Sequence, residues 1–242
     1  MERNTIVGID FLIVGIAVFS LARVLDQSVS ISALGFAISI IGALVLLVVP
    51  ESIPKDAYKA LLNDSIANIE TILRESKIQA RAYTVVGKDG KIRAFIPIDP
   101  DSSNLKPVDY GNLIQSMNRS ADRLIVNYGG LHGLVLIHPG NELVRVAKVE
   151  ERESIEVALR KVIITLSNLA TSLSAIEDGK IIRVDVKNPR LSFDFPRFEM
   201  CLGLPLSSVI AGVVAKVKGM PVMILDEKLD RSLLRLSLEI LE

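Results

Sequence analysis

The first 50 residues hold two apolar runs in immediate succession, and this feature restricts the fold more than any other. They read IVGIDFLIVGIAVFSLA (6–22) and VSISALGFAISIIGALVLLVVP (29–50). The second carries no charge in the 21 residues before Pro50. At the helical rise per residue that length reaches about 32 Å, enough to cross a hydrocarbon layer. The first run is shorter and contains Asp10, one turn from its start, where a carboxylate can reach the interface. Arg23, near its other end, can extend its charge outward along an aliphatic stem.

Two other readings of the first run exist. Arg3 and the Ser20-Leu21-Ala22 triplet fit a cleaved secretory signal, and paired apolar helices can form a buried core hairpin. The uninterrupted second run favours two spans, at 6–25 and 29–49, joined by the short connector RVLDQS into a tight helical hairpin. Gly8, Gly15 and Ala22 recur every seven residues in the first span, and Gly35 and Gly42 do so in the second. Seven residues is about two helical turns, so each set lines one face on which backbones can approach closely. These glycines are also where a protein partner or a second copy would pack.

Lys and Arg near span ends set orientation. Arg3, Lys55 and Lys59 flank the outer ends of the hairpin, against Arg23 in its loop. Both termini are therefore expected on the cytoplasmic side of a cell membrane, although Asn63-Asp-Ser and Asn118-Arg-Ser match glycosylation acceptors that would suit the opposite side. Removing Arg3 and Arg23 from the 28 basic residues, and Glu2, Asp10 and Asp26 from the 28 acidic ones, leaves 51–242 with a net charge of +1. A nucleic-acid surface needs a clear basic excess, so none is expected. The single cysteine excludes an intramolecular disulfide.

Residues 51–242 read as one α+β domain of strand pairs alternating with helices. A helix over 52–76 carries Leu62, Ile66, Ile69 and Leu73 at helical spacing and leaves the second span directly. YTVVGKDGKIRAFIPI is a hairpin turning at Gly-Lys-Asp-Gly. A weaker helix follows at 108–125, and LHGLVLIHPGNELVRVAKV reads as a second hairpin turning at His-Pro-Gly-Asn. Ser154 to Ile176 reads as one long helix. KIIRVDVKNPRLSFDFPRFE alternates as a third hairpin, with Ile182, Val184 and Val186 on one face and Leu191, Phe193 and Phe195 on its return strand. A helix over 205–218 and a last pair, MPVMIL and LLRLSLEIL, complete the chain.

Phosphate-loop, nucleophile-elbow, zinc-protease and paired-cysteine motifs are absent from the sequence, and no cofactor or metal is expected. His132 and His138 flank one strand too far apart to serve one site, and His138-Pro139-Gly140 is most simply a turn. The segment EMCLGLPLSS raises the sharper question. It reads as a strand entering a helix, with Pro205 at the first helical position. Helix N-termini lower a nearby thiol pKa and offer free N–H groups to anions. Cys201, Gly203, Ser207 and Ser208 are thus candidate ligand-binding residues, and Cys201 with His132 a candidate nucleophile and base. The plainer alternative is a turn with a small buried apolar cysteine.

The two-span hairpin, the aliphatic and Trp-free composition and the C-x-G-x-P-x-S-S segment resemble archaeal membrane-anchored proteins of unknown function. That resemblance covers most of the chain and implies anchoring without a named activity. The expected function is a non-enzymatic binding or regulatory module held at the bilayer. The alternatives are a Cys201-dependent acyl or thioester enzyme and an accessory subunit of a membrane complex.

Overall fold

The computed structural model describes residues 3–25, 29–47, 55–98, 123–128, 131–191 and 194–241. It divides into two compact units, Met1–Pro54 and Lys55–Glu242.

The first unit is a pair of helices, α1 (Arg3–Val24) and α2 (Val29–Leu47). Its seam is built from the small residues of the seven-residue pattern. A Cβ added at Gly15 would lie 2.4 Å from the Ser39 nitrogen, and one at Gly35 would lie 2.5 Å from the Phe19 nitrogen. Gly42 meets Leu12 in the same way, Gly8 meets Leu46, and Ala22 is buried. The two backbones therefore approach as only glycine allows, and a seven-residue repeat keeps this stripe on one side as the helices wind. Ser39 donates to the Gly35 carbonyl (3.0 Å), so its hydroxyl is satisfied within its own helix. The large side chains point the other way: Phe11, Ile13, Val14, Leu21, Leu34, Phe36 and Leu44 are all exposed. Both helices are long and apolar enough to cross a membrane, over Val7–Val24 and Val29–Leu46.

The second unit is an α+β fold around one eight-stranded antiparallel sheet. Its strands are β1 (Tyr83–Val86), β2 (Ile92–Pro97), β3 (Ile125–Tyr128), β4 (Leu131–Ile137), β5 (Ser172–Asp178), β6 (Ile181–Lys187), β7 (Val222–Asp230) and β8 (Leu233–Ile240), in the order β3-β4-β2-β1-β7-β8-β6-β5. The helices are α3 (Lys55–Glu75), α4 (Asn141–Val146), α5 (Ile155–Leu159) continued by a π-helical segment (Arg160–Leu166), α6 (Pro196–Leu202) and α7 (Pro205–Lys218). Every second strand residue faces them. Ile182, Val184, Val186, Leu234, Leu236 and Leu238 form one core with α5 and α7. Ala94, Ile96, Leu134 and Leu136 form another with Ile66, Ile69 and Leu73 of α3 and Phe198, Cys201 and Leu202 of α6. On the far side of the β6–β8 region Arg183, Asp185, Lys187 and Arg235 are exposed, with Asp185 directly opposite Arg235.

The β1–β2 and β7–β8 hairpins, α3 and α7 stand where the sequence pattern puts them. Three other elements differ. Ser154–Ile176 is not one helix: Ser167 Oγ donates to the Val162 carbonyl, Asn168 takes φ 52°, and 172–178 becomes the edge strand β5. Leu169 and Leu173 stay buried across the break, so the apolar stripe is satisfied in either conformation and could not report it. His-Pro-Gly-Asn leads from β4 into α4 rather than into a return strand; β4 pairs with β2 and β3. Among the described residues after Lys187, 188–191 and 194–195 form no return strand; Ser192 and Phe193 lie outside the described residues. β6 pairs with β5 and β8, joined to β5 by a tight turn in which Gly179 takes φ 61°. The 108–125 helix falls almost wholly outside the described residues, and its last residue, Ile125, opens β3.

Candidate functional site

The third difference relocates the candidate site. Pro196 and Pro205 each begin a helix, so Cys201 lies in the last turn of α6 and the segment joins two helices, not a strand and a helix. Gly203 makes the turn at φ 80°, and its N–H closes α6 on the Glu199 carbonyl (3.0 Å). A side chain there would also collide: a Cβ would lie 2.6 Å from Ile224 Cδ1 and 2.9 Å from Glu227 Oε2.

An N–H pointing out at the start of a helix attracts an anion. Both helices of the junction meet one supplied by the chain itself. The Leu204 N–H, at the start of α7, donates to Glu227 Oε2 (2.9 Å), and the Phe198 N–H of α6 donates to Glu70 Oε2 (2.7 Å). Arg81 Nη1 donates to the Glu199 carbonyl (3.2 Å) and stands 3.8 Å from Glu227 Oε1. Burial foremost, then the charges of Glu227, Asp194 and Glu70, raises the Glu199 carboxyl above the usual carboxylate range.

Glu227 reaches α7 because of a bulge in β7. Val222 and Ile224 face the helices, and simple alternation would next turn Asp226 inward. The register shifts between Ile224 and Asp226, so that Leu225 is the extra residue and Glu227 sits opposite inward-facing Leu236. Glu70 and Glu227 carry no local sequence signal for this role, because their bonding partners are 128 and 23 residues away.

Cys201 is buried among the side chains of α3 and α6, and its thiol lies 3.7 Å from the Ile78 carbonyl, the acceptor it faces. Burial pushes the thiol up to about 11; Arg81 and Arg197 pull it down and Glu70 pushes it up, all by less. At neutral pH the sulfur is therefore protonated and enclosed, which is the opposite of an activated nucleophile. His132 is exposed on β4 opposite Asn127, and among the described residues no hydrogen bond joins it to Cys201.

Ser207 and Ser208 are fully buried. Ser208 Oγ is 3.0 Å from Nε2 of His138, which is itself buried. The Gly140 N–H donates to His138 Nδ1 (3.1 Å), which places the ring proton on Nε2 and makes Ser208 the acceptor. Burial lowers His138 to about 3, so the ring is neutral. Asn141 Oδ1 beside it accepts the Ile92 N–H (2.9 Å), locking the β4–α4 turn onto the start of β2. Among the described residues the Ser207 hydroxyl is enclosed without a hydrogen-bond partner. Of the four candidate ligand residues, then, Gly203 shapes the turn, Cys201 and Ser208 are taken up by internal contacts, and Ser207 is closed off.

Among the described residues no group of three or more His, Cys, Asp or Glu is placed to hold a metal ion. A shallow cavity of about 240 Å³ opens between the start of α5 and the β5–β6 hairpin, walled by Glu153, Glu156, Glu177 and Lys218. Its charges are paired off: Lys218 with Glu177 and Lys161 with Glu153, each at 2.5 Å, and Arg160 with Glu156 at 2.9 Å. No protein-family model matches the chain, and neither a curated protein nor a solved structure matches it.

Proposed function

We propose that this chain is a two-span membrane protein whose second unit serves as a non-catalytic binding or regulatory module on the cytoplasmic side of a cell membrane. The observation that carries the reading is the exterior of the α1–α2 pair, where Phe11, Ile13, Val14, Leu34, Phe36 and Leu44 face outward around a seam of glycines. Such a surface is unfavourable in water and favourable in lipid. Orientation follows from Arg3, Lys55 and Lys59 against Arg23. A non-catalytic role is supported by the state of the titratable groups: the Cys201 thiol is protonated and enclosed, and His138 is neutral and held at both nitrogens. A binding surface at the α6–α7 junction would work by exchange, since an incoming anion must displace Glu227 from the Leu204 N–H.

Alkaline carbonate extraction of cell membranes, followed by protease digestion of sealed inside-out vesicles, tests the proposal. The full chain should stay in the lipid fraction, and 51–242 should be cut only where the cytoplasmic face is accessible. Release by carbonate would refute the spans, and protection in inside-out vesicles would refute the orientation. Reaction of native Cys201 with iodoacetamide near pH 7 would reopen thiol chemistry.

A further inference from the structure

The sheet uses one four-strand arrangement twice. The order β3-β4-β2-β1 recurs as β7-β8-β6-β5. A helix precedes each set, α3 or α5, and each first hairpin turns at Asp-Gly-Lys with its glycine left-handed, Gly90 at φ 76° and Gly179 at φ 61°. Within the chain β1 does not end the sheet, because it pairs with β7 at Tyr83–Met223 and Thr84–Val222. Its counterpart β5 has β6 on one side and an open edge on the other.

The backbone groups of that edge can be named. The Ile240 N–H donates to the Lys180 carbonyl (2.8 Å), so the even-numbered residues of β6 bond to β8 and the odd-numbered ones to β5. Ile181 lies opposite Asp178, which leaves Leu173, Ala175 and Glu177 with their N–H and C=O groups pointing outward. Arg160 Nη2 occupies the Leu173 carbonyl (3.2 Å), and among the described residues no such bond reaches Ala175 or Glu177. No proline or bulge interrupts the ladder from Ser172 to Asp178. Ile176 is exposed on the face turned away from the helices, opposite Arg183. Natural sheets protect such an edge or pair it.

The pattern of β5 is met by β5 itself. An antiparallel pair centred on Ala175 needs the Leu173 carbonyl that Arg160 holds, and one centred on Glu177 sets Glu177 against Glu177. Centred on Ile176, the pair places Ala175 opposite Glu177 and Ser174 opposite Asp178 of the second copy, so no like charges meet directly and Ile176 packs on Ile176. Joining β5 to the far edge of another sheet, the four-residue β3, would run head to tail without closing. We propose that β5 docks β5 of a second copy of this chain, antiparallel and centred on Ile176, and so joins two sheets across a two-fold axis. The contact is small, and two chains held in one membrane meet at a raised local concentration. To that extent the inference rests on the membrane reading above.

Copper-phenanthroline oxidation of full-length chains in membranes of their native cells tests the pairing. Ile176→Cys should give a disulfide-linked dimer, because position 176 faces itself where strand side chains approach most closely. Ser174→Cys lies on the same face, but its two copies would stand roughly 14 Å apart, beyond disulfide reach, and should give none. Ala175→Pro removes an outward N–H that the β5–β6 ladder does not use, and should lower the Ile176→Cys dimer about tenfold through the donors lost from both copies. In Ala175→Pro alone Cys201 should stay closed to iodoacetamide, which shows the fold intact. No dimer from Ile176→Cys, equal yields at 174 and 176, or a yield unchanged by Ala175→Pro would each overturn the proposal. Carbonate extraction of the same membranes separates the two failures. A chain that washes off refutes the spans, whereas one that stays embedded without the dimer refutes the pairing alone.

Discussion

Among the described residues three helical stretches are long and apolar enough to cross a membrane, and they end in opposite surroundings. Of the spans Val7–Val24 and Val29–Leu46, 17% of each is buried; of Pro196–Lys218, 83% is buried. In α1–α2 the small residues face each other and the large ones face out. In α6–α7 the large residues Phe198, Leu202, Leu206, Val209 and Ile210 face in, and three polar groups are met by the protein: the start of α6 by Glu70, the start of α7 by Glu227, and Ser208 by His138. Average hydropathy does not separate these fates. The side on which bulk is placed does, together with whether the helix ends find partners in the protein.

Matched truncations of phenylalanine break this contrast most directly. Phe198→Ala empties a fully buried site and should cost about 3–5 kcal/mol, read by denaturant unfolding of the full chain in detergent. Phe11→Ala removes an outward ring of the hairpin and should change that stability by less than about 0.5 kcal/mol. Equal losses at the two positions would show that the hairpin also buries its exterior against protein.

Gly15→Leu tests the seam from the other direction. With the Ser39 backbone 2.4 Å from a Cβ, the helices must part, at a cost of about 3 kcal/mol. An engineered disulfide between the two helices should then form far more slowly, while Val14→Leu, on the exposed side, leaves its rate unchanged.

A smaller effect is expected in the α7 core, and it depends on pH. Ser208→Ala leaves the His138 N–H unpaired in the interior, for about 1–3 kcal/mol. His138 titrates at about 3 when folded, below its ordinary 6.5, so the unfolded chain binds the proton more readily between those values. Its contribution is complete above pH 6.5 and is lost as the pH falls toward 3, with a slope of up to about 1.4 kcal/mol per pH unit. Unfolding curves across that range should show the loss, and His138→Gln should flatten it.

Glu227→Ala removes the carboxylate that meets α7 and should cost about 1 kcal/mol, while Glu227→Gln, which keeps an acceptor for the Leu204 N–H, should recover part of it. Least of all is expected at Cys201. Its labelling by iodoacetamide at pH 8 should follow the rate of unfolding, because the thiol is enclosed and titrates at about 11.

Where local and long-range signals agreed, the fold was legible. The heptad glycines, the Leu62–Leu73 stripe of α3, the Gly-Lys-Asp-Gly turn and the Pro205 start of α7 all describe neighbours within a few residues. Residues 169–176 were misread because Leu169, Leu173 and Ile176 fit a helical stripe as well as Leu173 and Ala175 fit a strand. The return strand expected at 191–195 is absent at its described residues Leu191, Asp194 and Phe195 for a related reason. The partners of β6 are β5 and β8, and alternation within one strand does not name the strand beside it.

The sequence by itself determined two nearly uncharged helices, Arg3–Val24 and Val29–Leu47, facing each other through glycine, and an α+β unit after them. Both follow from short-range chemistry: residue volume, helical period and the φ angles that glycine and proline allow. Tertiary structure alone decided that the eight strands share one sheet and that Cys201 sits inside a helix pair as part of the core. It alone decided, too, that the waiting N–H of α7 is met by Glu227. That last contact requires one extra residue in β7 to turn a side chain from one face of the sheet to the other. A strand's face is fixed by its register with its neighbours, and the neighbours of β7 are chosen by the packing of the whole unit.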